Sequence, residues 1–278
     1  MIPNEKILTN DRLVLFGFGI FETLLITDRG PLFADLHWQR MNKGAQILGL
    51  KLPDKQEWMQ RIQEFIQQTL DTIPYALRIT LSGGAPLTND PAQLLLHKRS
   101  VPYTSAQYTL GIQLYLLPHP RNEQSPLCSI KSTNYLENIL AKEEASRQGY
   151  EEGLWLNTQG FLAEGTMSNL FYLKDGTLFT PSLSSGCLPG TRRQVILELA
   201  RSQQISTQEG LYTLSDLLSS DEIFMTNSLM GIMPVRNVNG SFFRVSSPDS
   251  QDSAMRCLEL AYKNLLKTSF DLCDTNQI

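Results

Sequence analysis

The period of the apolar residues changes along this chain without settling into a regular alternation, and no other feature of the sequence constrains the fold as much. Apolar Leu36, Met41, Ala45 and Leu48 recur near the helical period, so a helix is expected over 36–50. Further helices are expected over 58–70, 192–203, 214–218 and 252–267. Between them, residues 75–81 (YALRITL), 108–117, 153–157, 171–173, 177–180 and 222–226 carry the short β-branched and aromatic runs of strands, and 92–96 is a further strand or a connection. Asp28-Arg29-Gly30 and Asp175-Gly176 are hairpin turns. Strands and helices mix without a repeating strand–helix–strand order, which predicts an α+β (irregular α/β) chain.

A chain of 278 residues suggests two domains. The polar, proline-rich stretch 118–126 (PHPRNEQSP) is the expected linker between a small N-terminal α/β domain, 1–117, and a larger C-terminal one, 127–278. The formal charge of −4, with lysine and arginine scattered, argues against nucleic-acid and membrane-surface partners. Cys128, Cys187, Cys257 and Cys273 match no zinc or redox spacing and are expected as reduced thiols. The start MIPNEKILTNDR lacks the pattern of a signal peptide, and no apolar run approaches a membrane span. A soluble cytoplasmic protein is expected.

The stretch IKSTNYLENILAKEEA, 130–145, places Lys131 before Ser132, Thr133 and Asn134, all good helix-start residues, and before apolar Leu136, Ile139 and Leu140 at helical spacing. The positive end of a helix disfavours a cation and lowers a lysine pKa, which suits an amine that must form an imine. Alone, the stretch reads rather as a surface lysine at a strand–helix junction.

Four other segments make it informative: FGFGIFET at 16–23, DLHWQRMNKGAQILGL at 35–50, AEGTMSNLF at 163–171, and the pair CLPGTRR at 187–193 with TNSLMGIMPV at 226–235. With these in order the chain resembles the fold-type IV pyridoxal-phosphate enzymes, which include branched-chain aminotransferases, D-amino-acid transaminases and 4-amino-4-deoxychorismate lyases. The resemblance implies a two-domain fold, pyridoxal 5'-phosphate as cofactor and a homodimer. It assigns Lys131 as the lysine that forms the imine and moves protons, and Glu164 as the carboxylate facing the pyridine nitrogen. Arg40 becomes a phosphate-binding arginine. Thr191 and Arg192 become the helix-entry half of a phosphate cup, with Ser228 and Leu229 as its other half, and Leu188 packs on the ring. Each has a plainer reading: Glu164 as a turn glutamate, Arg40 as a helix-surface arginine, Thr191 as an N-cap, Leu188 as a core leucine.

Other chemistries fail. Gly17 and Gly19 lack the third glycine and following helix of a dinucleotide site, His37, His97 and His119 have no metal spacing, and no nucleophile elbow occurs. Within the family, Phe21 stands where D-amino-acid transaminases carry a tyrosine, and neither arginine nor histidine follows Gly83-Gly84. The run NSLMGIMPV, and Thr23 after Phe21-Glu22, resemble the aminodeoxychorismate lyases, whereas Phe18 replaces their usual aspartate between the glycines. The expected activity is release of pyruvate from aminodeoxychorismate to form 4-aminobenzoate, with Lys131 and Thr23 as catalytic residues. A D-amino-acid or branched-chain aminotransferase is the alternative.

Overall fold

A computed structural model describes residues 7–69, 73–85, 91–245 and 253–268. Expectations about residues 1–6, Leu70, Asp252 and Cys273 lie outside the described residues. The chain forms two compact units, one of Met1–Pro102 with Ser129–Glu137, the other of Tyr103–Cys128 with Asn138–Ile278.

In the first unit α1 (Arg12–Phe16) leads into β1 (Ile20–Thr27), β2 (Gly30–Pro31), α2 (Ala34–Leu48), α3 (Lys55–Gln68), β3 (Tyr75–Leu81) and β4 (Leu94–Arg99). The strands make an antiparallel sheet in the order β2-β1-β3-β4. Thr27 pairs with Gly30, so Asp28 and Arg29 form the expected turn. Asp54 caps α3 through Glu57 N, and Gly49 ends α2 in the left-handed region at φ 64°. Alternation on β1 sends Ile20, Leu24 and Ile26 into a core with Met41, Ala45, Trp58, Ile62, Leu77 and Ile79. Phe21 and Thr23 therefore lie on the opposite face.

In the second unit α4 (Ser105–Leu110) precedes β5 (Ile112–Leu116). The single strand expected over 108–117 is thus a helix and a strand: Thr104 and Gln107 form a capping box that starts α4, and Gly111 at φ 77° breaks it. Then follow α5 (Leu136–Arg147), β6 (Glu152–Leu156), β7 (Leu162–Gly165), β8 (Asn169–Lys174), β9 (Thr177–Pro181), α6 (Thr191–Ser202), β10 (Thr207–Gly210), α7 (Leu214–Leu218), β11 (Glu222–Asn227), β12 (Gly231–Val238), β13 (Ser241–Phe242) and α8 (Ala254–Thr268). The mixed sheet runs β10-β9-β8-β11-β12-β5-β6-β7, with β13 beside β12. Asp175 and Gly176, at φ 48° and 72°, make the expected hairpin turn between β8 and β9.

Segment 118–126 is not a spacer. Arg121 is 8% exposed, its N–H donates to Leu156 O, and it bridges to Asn157, so this stretch is built into the second unit. The unit begins at Tyr103 because β5 pairs with both β12 and β6.

Candidate active site

Lys131 lies in an extended segment of the first unit, upstream of α5 rather than in its first turn. Backbone groups at the start of β1 recruit this segment: Phe21 N donates to Lys131 O at 2.9 Å, Thr133 N to Gly19 O at 3.0 Å, and Ser132 bridges Ile20. The polar residues after the lysine do the same. Thr133 Oγ1 and Asn134 Nδ2 both donate to Gly17 O, and Ser132 Oγ accepts from Asn134 N at 3.0 Å. They fasten a strap, which a reading of them as helix caps does not anticipate.

The lysine ammonium sits 4.5 Å from the Phe21 ring centroid and 5.0 Å from that of Tyr135, and the two rings meet edge to face at 5.1 Å. Arg78, on β3 opposite Thr23, places its guanidinium 3.7 Å from the Phe21 centroid. Its Nε donates to Thr80 Oγ1 at 3.3 Å, and among the described residues no carboxylate pairs with it. Burial and then Arg99 hold its pKa below the ordinary value. A half-buried cation of this kind, beside a primary amine, is a ready contact for an anion. Sequence reasoning missed it by looking after Gly83-Gly84, part of which lies outside the described residues. The pleat of β1 and β3, which aligns Arg78 with Thr23 and Phe21, was the available signal.

Arg40, on α2, is neither on the surface nor uncommitted: its side chain is 13% exposed, and it donates to Glu22 at 2.7 and 2.6 Å. His37 Nδ1 lies 2.6 Å from the same fully buried carboxylate.

In the second unit Glu164 occupies β7, 5% exposed. Leu188 N donates to its Oε2 at 2.9 Å, and Arg121 Nη2 lies 3.3 Å from its Oε1. Leu188 is half-buried, and its carbonyl accepts from Asn169 Nδ2 at 2.9 Å. Gly190 N-caps α6 without a side-chain bond, and a Cβ there would collide with Asn169 Oδ1. Thr191 and Arg192 open the helix, both buried. Arg192 Nη2 reaches Ser228 O at 3.2 Å, which ties the start of α6 to the turn after β11. In that turn Asn227 Oδ1 accepts from Leu229 N and Met230 N, both at 2.9 Å, while its amide donates to Tyr103 Oη and Met167 O. The Leu229 N–H is therefore bonded within the turn.

These residues fit a phosphorylated pyridine. The start of α6 has no side-chain cap hydrogen bond and carries the favourable end of the helix dipole, and among the described residues the fully buried Thr226 hydroxyl beside the turn has no hydrogen-bond partner. Within the same unit Glu164 is a braced carboxylate of the kind a pyridinium nitrogen takes, and the first unit by itself carries a primary amine, Lys131. Cys187 takes no part: burial, then the charge of Glu164, push its thiol up to about 12, so it stays protonated. Cys128, Cys187 and Cys257 are free thiols. Among the described residues no cluster suits a metal ion, and no helix is long and apolar enough to cross a membrane.

The chain is similar to known proteins in sequence and in fold. The chain is 28% identical over 270 residues to the aminodeoxychorismate lyase of Bacillus subtilis (92% of this chain, 88% of that one). It is 41% identical over 239 residues to the branched-chain-amino-acid aminotransferase of Escherichia coli (81% and 77%). A crystal structure described as a putative 4-amino-4-deoxychorismate lyase from Legionella pneumophila superposes with a TM-score of 0.84 at 28% identity, covering 96% of both chains. A family model, amino-transferase class IV, matches residues 19–238.

Proposed function

The chain belongs to the class IV aminotransferase family, and from that membership we propose that it is a 4-amino-4-deoxychorismate lyase, which releases pyruvate and forms 4-aminobenzoate. The family works with pyridoxal 5'-phosphate, and when bound this group supplies an electron sink for charge left on carbon.

The residues take the following parts. Lys131 is the amine that anchors the cofactor and, once released, takes the proton from the amine-bearing carbon of the substrate. Thr23, on the same strand face as Phe21, lies opposite Arg78 and works beside it. Glu164 keeps a negative charge toward the pyridine nitrogen. Arg40 is a phosphate-directed cation oriented by Glu22. Thr191 and Arg192 present the start of α6 to the phosphate, and Ser228 and Leu229 offer the turn braced by Asn227. Leu188 packs on the ring while its N–H orients Glu164. Loss of the enolpyruvyl group as pyruvate leaves an aromatic ring, so the chemistry runs downhill and the protein chiefly orients and moves one proton.

The observation that carries this reading is Arg78, a cation without a carboxylate partner among the described residues, stacked on the ring that also contacts Lys131. It suits a substrate that brings a carboxylate close to its amine. The likeness to the Bacillus and Legionella proteins supports the lyase among such substrates. The 41% identity to the Escherichia coli enzyme favours a second reading, a branched-chain aminotransferase.

The deciding experiment supplies aminodeoxychorismate with no keto acid. A lyase yields pyruvate and 4-aminobenzoate in equal amounts over many turnovers, because no amino group is left behind. Turnover of branched-chain amino acids with 2-oxoglutarate, and no pyruvate from aminodeoxychorismate, would establish the aminotransferase. A cytoplasmic homodimer is part of the proposal. The free thiols support the compartment. Exposed Val14, Leu15 and Phe16 on α1, and separately Ile139 and Leu140 on α5, are apolar surface of the kind a second copy covers.

A further inference from the structure

Buried charges need partners, and Glu164 has an uncommon pair of them. Its carboxylate is almost wholly out of water, which by itself disfavours the anion. The Leu188 N–H on one oxygen and the Arg121 guanidinium on the other both favour it. Arg121 is itself held on several sides: its backbone N–H donates to Leu156 O at 2.8 Å, its Nη1 donates to Asn138 Oδ1 at 3.4 Å, and its guanidinium lies 4.8 Å from the Trp155 ring centroid. Asn138 is fixed in turn, donating to Thr166 O at 2.7 Å, two residues beyond Glu164. The cation and the end of β7 that carries the carboxylate are thus registered to each other by a buried chain of hydrogen bonds.

We propose that Arg121 is a positioning residue for the cofactor ring: held by Asn138 and Trp155, it keeps Glu164 ionised and aimed, and so sets how firmly the carboxylate grips the proton on the pyridine nitrogen. This rests on the reading that Glu164 faces that nitrogen. An arginine suits the task because it keeps its charge when buried, and its planar fork serves Asn138 and Glu164 at once. Without it the buried carboxylate gains a proton or turns toward other donors, and its grip on the ring nitrogen weakens.

The test compares binding of pyridoxal 5'-phosphate with binding of its deaza analogue, in which carbon replaces the ring nitrogen, to apo-protein by tryptophan fluorescence. Arg121→Gln is expected to weaken pyridoxal phosphate about tenfold and to leave the analogue within a factor of two, and Arg121→Lys to recover part of the loss. Glu164→Gln should show the same selectivity, and the double variant should lose no more than either single one. Equal losses for both ligands in Arg121→Gln and Arg121→Lys would mean a purely structural role and overturn the proposal, as would no loss for either. Selective loss in Glu164→Gln but not in the Arg121 variants sinks Arg121 alone. No selectivity in Glu164→Gln sinks the placement of Glu164 and the proposal with it.

Discussion

Arg40 grips Glu22 at two points, Nε at 2.7 Å from Oε1 and Nη2 at 2.6 Å from Oε2, with His37 Nδ1 on the same Oε2. Burial pushes this carboxyl up, but the charges and hydrogen bonds of Arg40 and His37 outweigh it and hold the pKa at about 2, against 4.5 for the free group. Since the folded value lies below the unfolded one, the stabilisation is complete above about pH 4.5 and is lost as the pH falls toward 2. A shift of that size is worth on the order of 3 kcal/mol. Glu22→Gln should therefore lower stability at neutral pH and flatten the acid limb of the unfolding free energy measured in denaturant. A constant gap between the two proteins from neutral to acid pH would contradict this.

Lys131 is the expected point of covalent attachment. Treating the loaded protein with borohydride should fix the cofactor on the peptide that carries Lys131, seen as a mass increment after digestion. Lys131→Ala should lose the increment while the elements of the second unit proposed to hold the phosphate, far along the chain, keep measurable affinity. An undiminished increment in that variant would refute the assignment.

Arg78 is expected to govern the substrate's carboxylate. Removing a charge-assisted contact costs about 1.5–3 kcal/mol, so Arg78→Gln should lower kcat/KM by roughly 10- to 150-fold. The loss should appear mainly in KM if the contact is equally strong in substrate and transition state. Steady-state kinetics on aminodeoxychorismate read this directly, and kinetics unchanged from wild type would reduce Arg78 to a packing role on Phe21.

Gly190 tests the loop before α6. Its backbone conformation, φ −69°, suits any residue, so only the clash with Asn169 opposes a side chain there. Gly190→Ala should cost about 1–3 kcal/mol by overpacking and weaken cofactor binding as the loop shifts. Adding Asn169→Ala should restore stability, read by thermal unfolding. If it does not, the close approach of Gly190 to Asn169 is not what the glycine serves.

Local signals in the chain were read well and long-range ones were not. The hairpin at Asp175-Gly176 follows from residues that tolerate positive φ, and α7 spans the expected residues 214–218, its start fixed by the Thr213 capping box. Motif order alone pointed to the family and hence to Lys131 and Glu164. Arg121 was hidden because its surroundings, rich in proline and polar residues, look like a linker. Its burial comes from Trp155 and Asn138, both distant in sequence. Arg78 was hidden for a related reason: only the register of β3 against β1 shows which ring it shares. The bond between Leu229 N and Asn227 Oδ1 is local, and an asparagine two residues upstream is the signal for such a turn.

The strap of residues 129–137 along the start of β1 has a consequence for synthesis on the ribosome. The first unit is discontinuous, so when Pro102 has been made its fold still lacks the segment that receives the Phe21 amide and gives the Thr133 amide to Gly19. Those groups must wait while Tyr103–Cys128, which belongs to the other unit, is made. The pairing is thus a long-range contact formed late, of the kind that slows folding and leaves a strand end open in the meantime. A nascent chain halted after Pro102 should therefore be cut by protease near β1, and one extended past Glu137 and clear of the exit tunnel should resist. The amine assigned to catalysis would then reach its place only as the first unit closes.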